Sequence, residues 1–86
     1  MKTTTPHVRN LQTSLAETVD QALRDYLSVL GNHEPSNVYR LVIDEVERPL
    51  IEVMMDYTKG NQSKAAKYLG INRATLRTKL KRYDLL

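Results

Sequence analysis

The stretch 61-NQSKAAKYLGINRATLRTKLKRY-83 decides the fold. Asn61 can cap a helix that turns Ala65, Ala66 and Leu69 inward. Gly70 breaks that helix and Ile71 plugs the turn. Asn72 caps the next helix, whose inward positions are Leu76, Leu80 and Tyr83. Helix, three-residue turn with glycine, helix reads as a helix-turn-helix. The paired alanines fit this, because two steeply crossing helices come too close for large side chains at the crossing.

The second of these helices is loaded with charge of one sign. Arg73, Arg77, Lys79, Lys81 and Arg82 have no carboxylate among them. The chain as a whole carries +3. Residues 1–58 hold five cations and nine acids, a net −4, whereas residues 59–86 hold eight cations and Asp84 alone, a net +7. A field of one sign at one end of a chain attracts polyanions, and double-stranded DNA is the partner this pattern predicts. In such a unit the second helix enters the major groove with its first turn against base edges. Asn72, Arg73 and Thr75 occupy that turn. Arginine can donate two bonds to guanine and asparagine can pair with adenine, so Asn72 and Arg73 are the candidate base readers. Arg77, Thr78, Lys79, Lys81 and Arg82 lie further along, within reach of the flanking phosphates. Asn61, Gln62, Ser63 and Lys64 begin the first helix, whose free N–H groups and dipole also favour phosphate.

Working outward, residues 1–13 read as a polar, aperiodic tail. Ser14 and Glu17 have the spacing of a capping box for a helix from about 15 to 30, closed by Gly31. A second helix is expected to open at Ser36 or Asn37 and to stop at Gly60. Val38, Val42, Ile43, Val46, Leu50, Val53, Met54 and Tyr57 form its apolar stripe, and Pro49 is expected to kink rather than end it. Leu41, Ile51 and Met55 fall off the stripe among charged residues, which calls for a second contact face. A chain this short buries a modest core, and a homodimer built from the first two helices would supply that face. The fold class is therefore all-α with four helices: dimerisation helices over 14–58, with Val42, Val46, Leu50, Val53 and Met54 at the dimer core, and a helix-turn-helix over 59–86.

Other classes find little support. There is no cysteine, and His7 and His33 fall in tail and loop, so neither metal nor cofactor is expected. Asp44, Glu45, Glu47, Glu52 and Asp56 have no nucleophile or histidine beside them and read as a solvated helix face, which argues against an enzyme. No apolar run approaches membrane-spanning length and no signal peptide opens the chain, so a cytoplasmic protein is expected.

The segment YTKGNQSKAAKYLGINRATLRTKLKRY resembles the C-terminal helix-turn-helix of the Fis family, the factor for inversion stimulation of bacterial nucleoids. The likeness continues back through VYRLVIDEVERPLIEVMMD, Pro49 included, and more loosely to LRDYL. It implies an intertwined homodimer whose paired recognition helices bend DNA and select narrow, A/T-rich centres, in a nucleoid-associated regulator of transcription. By position it assigns Arg73 and Asn72 to base edges, and Asn61, Ser63, Lys64, Thr75, Arg77, Lys81 and Arg82 to phosphates. The family pattern has lysine where this chain has Thr78. It also implies an RNA polymerase contact at Lys59, Gly60 and Gln62, with Asp56 departing from the pattern. The segment MKTTTPHVRNLQT lacks the strand alternation of the family's invertase-contacting arm, so inversion activity is not carried over. The same motif ends the NtrC-type activators, but no phosphate-binding loop precedes it here, which favours a free-standing protein. A helical adaptor using its basic end on an acidic protein or RNA is the alternative from another class.

Overall fold

The computed structural model describes residues 6–86. Four α-helices follow in order: α1 over Pro6–Leu30, α2 over Val38–Tyr57, α3 over Gln62–Leu69 and α4 over Arg73–Arg82. They divide into two compact units, one ending at Val38 and the other running from Tyr39 to Leu86.

The first unit is α1 and the loop after it. The tail expected over residues 1–13 is helical from Pro6 onward, and residues 1–5 lie outside the described part. The reason is legible in hindsight. Val8 and Leu11 extend the three- and four-residue spacing of Leu15, Val19 and Ala22 backward, and proline is well suited to a first helical turn. Ser14 is consequently an interior residue, not a cap: its carbonyl accepts a hydrogen bond from the Thr18 hydroxyl at 2.9 Å. Gly31 ends the helix with a φ of +60°, the left-handed conformation in which a side chain would be penalised.

The second unit holds the core. Ile51, Ala65, Ala66, Leu76, Leu80 and Tyr83 are buried together, with Met55, Leu69, Ile71 and Leu85 packed around them. Here the structure corrects the expectation for the off-stripe residues. Ile51 and Met55 face the helix-turn-helix of their own chain, so α3 and α4 supply the second contact face that had been ascribed to another subunit. Leu41 stays exposed. The stripe itself is left open over its last two turns: Leu50 is 49%, Val53 63% and Tyr57 74% exposed.

α2 runs through Pro49 without interruption. It is not opened by a side-chain cap at Asn37, which instead takes a φ of +56°, a region asparagine tolerates better than most residues. The helix ends before Gly60, in a turn where Lys59 and Gly60 are both left-handed (φ +54° and +82°). The Gly60 N–H reaches back to the Met55 carbonyl at 2.9 Å, and the buried Thr58 hydroxyl donates to the Met54 carbonyl at 3.0 Å. The Met54 and Met55 carbonyls near the end of α2 are thereby satisfied before the chain turns into α3.

Candidate nucleic-acid interface

Both helices of the motif are capped by asparagine. Asn61 Oδ1 accepts from the Lys64 N–H at 3.0 Å, and Asn72 Oδ1 accepts from the Ala74 N–H at 2.7 Å. Gly70, at φ +78°, closes α3 by donating to the Ala66 carbonyl at 2.9 Å, and the Ile71 N–H joins the same oxygen at 3.0 Å. These bonds hold the three-residue turn and bring the N-termini of α3 and α4 to one edge. There the Arg73 guanidinium donates to the Ser63 hydroxyl at 3.2 Å, joining two residues ten apart.

The charges at that edge run against helix stability. Neither α3 nor α4 has an acidic residue in its first turn, where a carboxylate would complement the dipole. Arg73 stands at the first position of α4, where the positive helix end disfavours a cation by a few tenths of a kcal/mol or more. Lys64, Arg77 and Lys81 are exposed, and among the described residues no carboxylate pairs with them. A local choice that works against the fold in this way marks a surface arranged for an outside anion.

The other cations of α4 are engaged. Arg82 donates to Asp44 at 2.8 Å and Lys79 to Glu47 at 2.8 Å. Arg40 also reaches Asp44, at 3.1 Å. The Tyr83 hydroxyl sits between the two carboxylates, 2.5 Å from Glu47 and 3.1 Å from Asp44. Arg48 and Arg82 lie over its ring at 5.4 and 5.7 Å. Arg82 holds the Asp44 carboxyl below its ordinary range, with Arg40 and Tyr83 adding to the effect against some desolvation. For Glu47 desolvation is the largest influence and acts upward, but the bonds from Lys79 and Tyr83 together outweigh it and leave the group lowered. Burial, then the bond to Glu47, pushes the Tyr83 phenol up.

Residues 42–83, which include Asp44, Glu47, Tyr83 and the whole motif, match the family described as bacterial regulatory protein, Fis family. The chain is 45% identical over 85 residues to the DNA-binding protein Fis of Buchnera aphidicola subsp. Acyrthosiphon pisum (strain APS), covering 99% of this chain and 87% of that one. It is 51% identical over 74 residues to the Aeromonas hydrophila protein of that name, covering 86% and 76%. With the protein of that name from Histophilus somni (strain 2336) it shares 52% over 71 residues, covering 83% and 72%. The chain belongs to the Fis family.

In this Fis-family chain several of the expected site residues already have bonds within the protein. Arg82 is paired with Asp44 at 2.8 Å through one guanidinium nitrogen, so a phosphate would share that group with the carboxylate. Thr78 donates its hydroxyl proton to the Ala74 carbonyl at 3.0 Å, a bond that the rotatable hydroxyl gives up if it donates to a phosphate. Asn72 Oδ1 accepts one bond as the cap, and its amide N–H₂ has no partner among the described residues. Gln62 has its Oε1 buried and unpaired, so that oxygen is not offered to a partner. Arg73, Ser63, Lys64 and Asn61 do come together at the edge, and Thr75, Arg77 and Lys81 are exposed along α4.

What sequence reading missed in this Fis-family chain is the α2 side of the network. Asp44, Glu47, Ile51 and Met55 are spaced by three, four and four residues, which puts them on one line of the helix. The two carboxylates thus continue a buried apolar line and were not part of a purely solvated face.

Proposed function

We propose that this chain binds double-stranded DNA as a homodimer, bends it, and serves as a nucleoid-associated regulator of transcription in the bacterial cytoplasm. The observation that carries the reading is the open edge of the helix-turn-helix. Arg73 and Ser63 meet there beside Lys64, Arg77 and Lys81, with no acid in the first turn of either helix. Arg73 reads guanine at each half-site, with the Asn72 amide beside it. Asn61, Ser63, Lys64, Thr75, Arg77 and Lys81 hold phosphates. Similarity to proteins named DNA-binding protein Fis supports the partner. Among the described residues no helix is long and apolar enough to cross a membrane.

The exposed stripe supports the dimer. Leu50, Val53 and Tyr57 are open, and with Val42, Val46 and Met54 they form the face that a second copy covers. The turn at Lys59 and Gly60, exposed and left-handed at both residues, is the contact for RNA polymerase. Its test is Lys59→Ala, which should lower promoter activation and leave DNA affinity intact.

The DNA reading is tested by fluorescence anisotropy over a salt series. One duplex is a palindrome with guanine near each end and an A/T centre, and the other is its scrambled counterpart. If Lys64, Arg73, Arg77 and Lys81 of each subunit displace counterions, the dimer releases about eight, giving a log–log slope near −7. Preference for the palindrome on that steep slope is expected. Weak binding with a shallow slope would refute DNA as the partner and favour an adaptor for an acidic protein.

A further inference from the structure

We infer that Tyr83 is a positioning residue for the recognition helix: its phenol, held between Glu47 and Asp44 of α2, fixes the direction of α4 and thereby the half-site spacing the dimer accepts. The inference rests on the reading of α4 as the DNA-contacting helix of a homodimer.

α4 is only ten residues long and has Leu76 and Leu80 as its fully buried anchors, with Tyr83 as its C-cap. Apolar contact is non-directional, so two leucines against Ile51 and the alanines hold α4 down without fixing its roll or tilt. Short charge-assisted bonds do fix direction. Every such bond from α4 to α2 comes from its C-terminal half: Lys79 to Glu47, Arg82 to Asp44, and the Tyr83 hydroxyl, whose single proton has Glu47 at 2.5 Å and Asp44 at 3.1 Å as its acceptors. Lys79 and Arg82 are long, partly exposed side chains that can follow a moving helix. Tyr83 is different, being 4% exposed with a rigid ring, so its hydroxyl cannot follow a tilting α4 and keep its short bond to Glu47.

The site of reading lies at the other end. From Tyr83 to Arg73 is about 15 Å along the axis at 1.5 Å per residue, so a tilt of roughly 10° about Tyr83 moves the Arg73 backbone by about 3 Å. That exceeds the tolerance of a hydrogen bond to a base edge. In a dimer the same tilt acts twice, because α2 is the element proposed to join the subunits. A slack Tyr83 therefore blurs the separation of the two reading edges, whereas phosphate contacts, made by flexible lysines and arginines, survive.

The test uses the full-length dimer, its state checked by sedimentation, on palindromes whose half-sites are moved apart one base pair at a time, plus a random duplex. The wild type should show a sharp optimum. Tyr83→Phe keeps the ring and removes the hydroxyl. It should lower affinity at the optimum about tenfold while changing the random duplex by less than about twofold, flattening the profile. Glu47→Leu, which removes the shorter of the two acceptors, should flatten it likewise, and Glu47→Gln, which keeps an acceptor oxygen, should preserve the optimum. A Tyr83→Phe profile that keeps its shape, or falls by one factor on every duplex, overturns the positioning role and leaves DNA binding standing. A flat profile for the wild type overturns the specific DNA reading itself, and the positioning role with it.

Discussion

Replacing Ile51 by alanine separates the two faces of α2 in a single measurement. Ile51 is 1% exposed, enclosed by Ala65, Ala66, Leu76 and Leu80. The change removes three carbon atoms, worth about 2.5 kcal/mol at roughly 0.8 kcal/mol each, and the cavity they leave raises the loss to about 3–4 kcal/mol. A chain of this length has roughly 4–13 kcal/mol of total stability, so the variant forfeits a quarter or more of it. Urea unfolding followed by far-UV circular dichroism, at two protein concentrations, measures the loss. Because Ile51 packs within its own unit, the loss should be nearly the same at both concentrations, whereas a residue buried only by a partner would show its effect through the concentration dependence. A loss below about 1 kcal/mol would mean that the site is not sealed as described. A loss that depended strongly on concentration would return Ile51 to the subunit interface.

Three further outcomes are expected. Leu50→Asp, at a position half exposed in the isolated chain, should dissociate the dimer in analytical ultracentrifugation, and a variant still dimeric at micromolar concentration would sink the assignment of that face. Thr78→Lys should add a phosphate donor and steepen the log–log salt slope by about 2 per dimer, and an unchanged slope would mean that this position lies away from the backbone. The Asp44–Glu47–Tyr83 network should also set a pH window. Both carboxyls lie below their ordinary values of 3.8 and 4.5, so what they contribute is complete above that range and is lost as pH falls through the lowered values. The phenol lies above its ordinary value of 10.0, so its contribution is complete below pH 10 and is lost as pH rises through the raised value. Stability should form a plateau between, and in Tyr83→Phe the alkaline edge should move or vanish.

The helix-turn-helix was legible because its signals are local. Asn61, Gly70 and Asn72 each determine backbone within a few residues, and each does what its chemistry predicts. Ile51 and Met55 were misread because periodicity locates a face of α2 without naming what covers it; both an intrachain neighbour and a second subunit satisfy the same spacing. Ser14 and Glu17 had the right spacing for a capping box, but the apolar series of Val8, Leu11 and Leu15 carried the helix through them. At the site, residue type suggested which groups can touch DNA, and geometry then sorted them. Arg82 and Thr78 already have bonds to Asp44 and the Ala74 carbonyl, which lie 38 and four residues away.

The hydroxyl of Tyr83 also gives the molecule an optical property. The chain has no tryptophan, so its near-ultraviolet emission comes from five tyrosines. A phenol becomes a far stronger acid on excitation, and one already bonded to a carboxylate can transfer its proton and emit weakly. Tyr83, between Glu47 and Asp44, should therefore be dark while α4 is seated and brighten when those bonds part. Docking of the recognition helix should thus be visible in the unlabelled protein, as light that the native fold withholds.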